Sequence, residues 1–151
     1  MTPGRLTITG LAVVNGNVPP AEITFTKGLN LVVGASDTGK TFIFEAIDFM
    51  LGARGPLRRI PEAKGYVEVL LSLESSVNPP VTLRRGFSGG ELTATEYANG
   101  RNDAPTASKV LAAVHNPDPD RSLSAYLLRA IGLEHPEIRK NARGEKQSLS
   151  F

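Results

Sequence analysis

The chain has 151 residues, 40% of them apolar and 21% charged, with a formal net charge of +2 and no cysteine. That length and composition suit one globular domain with its own core, the missing cysteines exclude disulfides and thiolate-held metals, and no apolar run approaches the ~18 residues of a membrane span. The opening Met1-Thr2-Pro3-Gly4-Arg5 lacks the apolar stretch of a signal peptide, so a soluble, cytoplasmic chain with no membrane partner is expected; solvated lysines and arginines account for the slight basicity.

In chain order, Leu6 and Ile8 alternate with Thr7 and Thr9 and lead into Leu11-Ala12-Val13-Val14, the pattern of a strand. Asn15-Gly16-Asn17 and Pro19-Pro20 then break the chain. Ile23-Thr24-Phe25-Thr26 alternates as a second strand, and Lys27-Gly28 turns. Leu29-Asn30-Leu31-Val32-Val33 is nearly all apolar and stops at a glycine, which predicts a short strand buried on both faces. Residues 39–51 predict a helix with Ile43, Ala46, Ile47, Met50 and Leu51 on one face, closed by Gly52.

Residues 66–73 alternate with period two, Val67, Val69, Leu71 and Leu73 on one side. Residues 81–85 and 92–97 form a strand pair, and Val110, Leu111 and Val114 suggest a short helix. A clearer helix follows, with Ser122 as N-cap, Leu123, Tyr126, Leu127, Ala130 and Ile131 on one face, and Gly132 at its end. The tail is polar and basic, with Arg139, Lys140, Arg143 and Lys146 around a turn at Asn141-Ala142-Arg143-Gly144. Ser148-Leu149-Ser150-Phe151 alternates as a strand would and stops inside that pattern, so residues 1–151 are expected to be a single domain belonging to a longer protein.

The strongest motif is Gly34-Ala35-Ser36-Asp37-Thr38-Gly39-Lys40-Thr41, a complete phosphate-binding loop between a predicted strand and a predicted helix. Its glycines let backbone N–H groups converge on one point, and the helix N-terminus adds its positive end there. Lys40 is the mobile cation for the outer phosphates and the candidate catalytic residue. The Thr41 hydroxyl is the candidate ligand of a magnesium ion. Mg-ATP is the expected ligand.

Many families share this loop, and the flanks narrow the choice. Gly28-Leu29-Asn30-Leu31-Val32-Val33-Gly34 before it, with Phe42-Ile43-Phe44-Glu45-Ala46-Ile47 and Phe49-Met50-Leu51-Gly52 after it, resemble the N-terminal half of an ATPase head from the SMC, RecF and RecN group. The resemblance covers roughly residues 5 to 100 and is specific around 28 to 52. It implies a split ABC-type head: an α/β phosphate-loop fold with a mixed sheet around the loop helix and antiparallel strands to one side. It also implies a C-terminal half of the same head carrying the signature motif, the acidic strand and the catalytic glutamate, and a head-to-head homodimer that closes on two ATP molecules and couples to DNA. Ser36 and Asp37 stand where asparagine-glycine is usual; aspartate tolerates a left-handed backbone, so the loop can form. The usual arginine near the end of the first strand is absent from residues 10–17, which leaves the adenine-side contacts open.

The resemblance places an arginine-bearing loop after the first helix that senses DNA or nucleotide, and Arg54, Arg58 and Arg59 cluster there; a solvated loop is the competing reading. It also suggests Gln147 as the glutamine linking nucleotide to magnesium. Phe87-Ser88-Gly89-Gly90-Glu91 resembles an ABC signature, but an alternating segment follows it, so a hairpin turn is expected. Leu70-Leu71-Ser72-Leu73-Glu74 alternates as a half-exposed strand does, and Asp118 and Asp120 sit between prolines, so neither offers a magnesium aspartate. His115 and His135 are isolated surface residues. Two other functions stay open: a self-contained small phosphotransferase of the nucleoside-kinase kind, with Arg139, Lys140 and Arg143 in a lid, or a regulatory module that uses ATP as a switch.

Overall fold

A computed structural model describes residues 4–36, 38–100, 102–114, 116 and 118–133, together with the backbone of 137–139 and 146–148. Six strands make one sheet: β1 (Leu6–Asn15), β2 (Val18–Thr24), β3 (Glu68–Ser75), β4 (Val81–Gly86), β5 (Leu92–Tyr97) and β6 (Pro105–Leu111). Their order is β2-β1-β3-β4-β5-β6, and every pairing is antiparallel. The helices are α1 (Lys40–Met50) and α2 (Leu123–Ala130), with a 3-10 turn at Pro61–Ala63. A separate antiparallel pair joins β7 (Glu137–Arg139) to β8 (Lys146–Ser148). No helix among the described residues is long and apolar enough to cross a membrane.

The period-two pattern holds at the sheet's centre, except that Val67 precedes β3 and is exposed. Val69, Leu71 and Leu73 of β3, Val81 and Leu83 of β4, and Leu92 and Ala94 of β5 are buried on one face. Phe42, Ala46, Phe49 and Met50 of α1 and Leu123 and Leu127 of α2 join them in one core. On α1 the buried stripe is centred on Phe42, Ala46, Phe49 and Met50, with Ile43 and Ile47 at its margin. Aromatic side chains remove more apolar area from water than isoleucine does, so they turn the helix. Ser122 caps α2, accepting from the Ala125 N–H at 3.4 Å.

Three expectations need correction. Pro19 and Pro20 do not break the chain; they lie within β2, an edge strand where a missing N–H leaves no ladder bond unmade. The segment around Val110 and Leu111 is the edge strand β6, paired with β5 through Leu92↔Leu111 and Thr93↔Val110, so cross-strand pairing overrides a weak helical spacing. The third concerns residues 29–33, which form no strand among the described residues. Leu29, Leu31 and Val33 are 93%, 80% and 78% exposed. The sheet is therefore antiparallel rather than mixed, because the apolar run that would contribute its other strand has no neighbour to pair with among the described residues. Asn30 instead ties off a local turn: its side chain accepts from Thr26 N–H at 2.9 Å and donates to the Thr26 carbonyl at 2.9 Å.

Among the described residues the core contains one charge. Arg85 pairs with Val69 and Leu92 in register, an inward position, and is 3% exposed. Its guanidinium lies 4.0 Å from the centroid of the Phe49 ring. It donates to the Phe49 carbonyl at the end of α1, to Ala53 O at 3.1 Å and to Gly90 O at 3.2 Å. Burial pushes its pKa down, yet arginine stays protonated in proteins, so a cation sits at the negative end of the helix dipole. It also pins α1 and the following segment to the β4–β5 turn, where a Cβ on Gly89 would come within 2.9 Å of the Gly55 carbonyl. Arg85→Ala, which removes the side-chain donor from the Ala53 and Gly90 carbonyls, leaves Phe49 O only its bond from Gly52 N–H at 3.3 Å and loses the ring contact, is expected to cost about 2–4 kcal/mol, measured by urea unfolding; a loss below about 0.5 kcal/mol would show that the carbonyls find water instead.

Candidate functional site

The loop that begins at Gly34 ends at the first turn of α1. Gly39 is the helix N-cap in the left-handed region, φ 78° and ψ 9°, with no side-chain cap bond and no acidic residue in the first turn. The leading N–H groups of α1 are thus left to an external acceptor, and the helix dipole makes that acceptor an anion. Gly34, Ala35, Ser36 and Thr38 are exposed, as is Thr41; Asp37 lies outside the described residues.

Lys40 bends back over the loop. Its Nζ donates to Gly34 O at 2.9 Å, to the Ala35 carbonyl, and to Thr38 Oγ1 at 3.2 Å. Thr38 Oγ1 in turn donates to Ala35 O at 2.8 Å. The ammonium therefore occupies the mouth of the loop on neutral oxygens, and an anionic oxygen forms a stronger charge-assisted bond with it than these carbonyls do. A Cβ on Gly34 would stand 2.8 Å from Thr38 Oγ1, so the Thr38 hydroxyl would have to move.

A cleft of about 340 Å³ opens beside the loop, lined by Thr38, Lys40, Thr41, Arg58, Ile60 and Glu62 among others. Of the three arginines marked in the sequence, Arg58 reaches it; Arg54 and Arg59 project from the same segment into solvent. Arg58 is held by a carboxylate that sequence reasoning missed, its Nε donating to Glu45 Oε2 at 2.9 Å. The spacing that could have shown this is Thr41 to Glu45, one helical turn on the same face. Across Phe42 and Ile60 a second pocket of about 220 Å³ is mostly apolar, walled by Leu11, Val13, Ile23, Ile43 and Tyr66.

The remaining candidates separate from the loop. Ser88-Gly89-Gly90 is the β4–β5 turn, as its glycines required. Leu70 and Ser72 sit in β3 between β1 and β4. Asp118 and Asp120 shape their own loop, and Asp120 pairs with Arg129 at 2.9 Å. Gln147 falls in β8, and its side chain, like His115, His135, Lys140 and Arg143, lies outside the described residues.

Residues 5–110 match the AAA domain family. The chain is 32% identical over 124 residues to the DNA double-strand break repair Rad50 ATPase of Methanocaldococcus jannaschii, covering 80% of this chain and 12% of that protein. It is 32% identical over 80 residues to the DNA repair protein RecN of Aquifex aeolicus, covering 53% and 14%, and 32% over 59 residues to RecN of Synechocystis, covering 38% and 10%. It thus spans a small part of each relative's length. No solved structure matches it. With tripolyphosphate as the probe, Gly34→Ala is expected to lower affinity at least tenfold in isothermal titration by displacing Thr38. Unfolding should shift by less than about 0.5 kcal/mol, as for a surface site.

Proposed function

The chain belongs to the AAA domain family, beside Rad50- and RecN-like heads of the phosphate-loop NTPase superfamily, and from that premise we propose that it is the Mg-ATP-binding N-terminal half of an ATPase head serving DNA repair. One observation carries the reading: the open phosphate loop is approached by a nearly all-apolar segment, residues 29–33, that the strands among the described residues leave uncovered. A sheet completed from elsewhere would cover it, and a split head supplies those strands from its C-terminal half.

In this reading Lys40 leaves the carbonyls of Gly34 and Ala35 for the outer phosphates, while the backbone of residues 36–41 and the open turn of α1 hold the inner ones. Thr41 offers one hydroxyl to magnesium. No cluster of three acids or histidines suited to a metal occurs among the described residues. Phosphate oxygens and water would fill the rest of the shell, which magnesium accepts readily. The ion, when bound, neutralises phosphate charge. The apolar pocket behind Phe42 and Ile60 gives a nucleobase a seat without the family's usual arginine. Exposed Arg54 and Arg59 continue the cationic rim towards DNA or a second head.

Turnover would need the other half and a head-to-head partner, because a bound nucleotide hydrolyses only when a water is oriented against it. A second reading, a self-contained phosphotransferase, is favoured by Glu62, an acid on the wall of the phosphate cleft. Calorimetry and steady-state turnover separate the two. The chain is expected to bind Mg-ATP, Lys40→Ala to lose that binding, and neither to turn ATP over; turnover that vanishes in both Lys40→Ala and Glu62→Gln would replace the half-head with a complete enzyme. Hydrogen exchange checks the uncovered segment: amides 29–33 are expected to exchange at near-unprotected rates in this chain and to become protected when the rest of the head is present.

A further inference from the structure

Arg58 is the one cationic side chain besides Lys40 on the phosphate cleft among its lining residues, and it is already engaged. Glu45 sits four residues after Thr41 on α1 and accepts from Arg58 Nε at 2.9 Å. The two side chains are 36% and 57% exposed. The segment bearing Arg58 is fixed on both sides: Leu57 is buried and donates its N–H to Phe87 O at 2.8 Å, and Ala63 is buried in the core. Ile60, between them, packs close to Gly39. With its backbone held this way, Arg58 can change partner by rotating its side chain alone.

We propose that Glu45 is a positioning residue that holds the Arg58 guanidinium at the rim of the cleft and yields it to a nucleotide phosphate when Mg-ATP enters. The inference rests on the ATP-binding reading above. Exposed ion pairs contribute little, whereas a phosphate offers guanidinium a more highly charged and bidentate partner, so the exchange runs towards the nucleotide. The carboxylate of Glu45 also opposes anion entry one turn from Thr41. Linkage then requires that the nucleotide weaken the Glu45–Arg58 pair by the same factor as the pair weakens the nucleotide. The pair acts as a threshold: it lowers affinity slightly and makes Arg58 report on occupancy.

Mg-ATP titrations of the wild-type chain, Glu45→Gln, Arg58→Gln and the double variant test this. Glu45→Gln is expected to tighten binding roughly two- to fivefold, about 0.4–1 kcal/mol. Arg58→Gln is expected to weaken it, and the Glu45→Gln gain should vanish when Arg58 is also replaced, a coupling that a purely structural role for Glu45 would not produce. Unchanged or weaker binding by Glu45→Gln, or a gain that persists without Arg58, overturns the proposal while leaving ATP binding intact. Failure of the wild-type chain to bind Mg-ATP would overturn the ATP reading and this proposal together.

Discussion

A helix proposed to offer its N-terminus to phosphate must be held by everything except that end. α1 is held in that way. Its first turn carries neither a side-chain cap nor an acid. Its restraint comes from the opposite end, where Arg85 draws together the Phe49, Ala53 and Gly90 carbonyls, and from the buried stripe of Phe42, Ala46, Phe49 and Met50. The same arginine fixes the segment after α1 against the β4–β5 turn, and that segment carries Arg58 to the cleft. The uncapped site and the buried charge are thus two ends of one arrangement. The cost of burying a cation is offset by three carbonyl acceptors, one in the last turn of α1, one in the segment after it and one in the β4–β5 turn.

Much of this was legible in the sequence, and the parts that were not share a cause. The phosphate loop, the helix after it, the β4–β5 hairpin and the Ser122 cap each rest on local chemistry, fixed by the residues themselves. What local pattern could not give was the neighbour. Pro19 and Pro20 read as breakers unless β2 is known to be an edge strand. Val110 and Leu111 read as helix unless β5 lies alongside. Leu29 to Val33 read as a buried strand, and the residues are right for one, but nothing among the described residues buries them.

The site shows the same division. Gly34, Gly39, Lys40 and Thr41 were evident from spacing, and the structure brings Lys40 onto the loop carbonyls. Glu45 entered only as part of the flank Phe42-Ile43-Phe44-Glu45-Ala46-Ile47, since its partner is Arg58, thirteen residues further on. Arg85 was read only as part of a strand, because period-two alternation does not distinguish an inward cation from an outward one. Its carbonyl partners lie 36 and 32 residues away, at Phe49 and Ala53.

The edges of the sheet carry one more consequence. β2 presents two prolines and β6 a run of exposed residues that includes Lys109, and both features discourage a foreign strand from docking edge to edge. Residues 29–33 have no such guard: their backbone is outside every ladder and their leucines and valines face water. A concentrated solution of this chain is therefore expected to self-associate through that window, and solubility would serve as a gauge of how completely the strand is shielded.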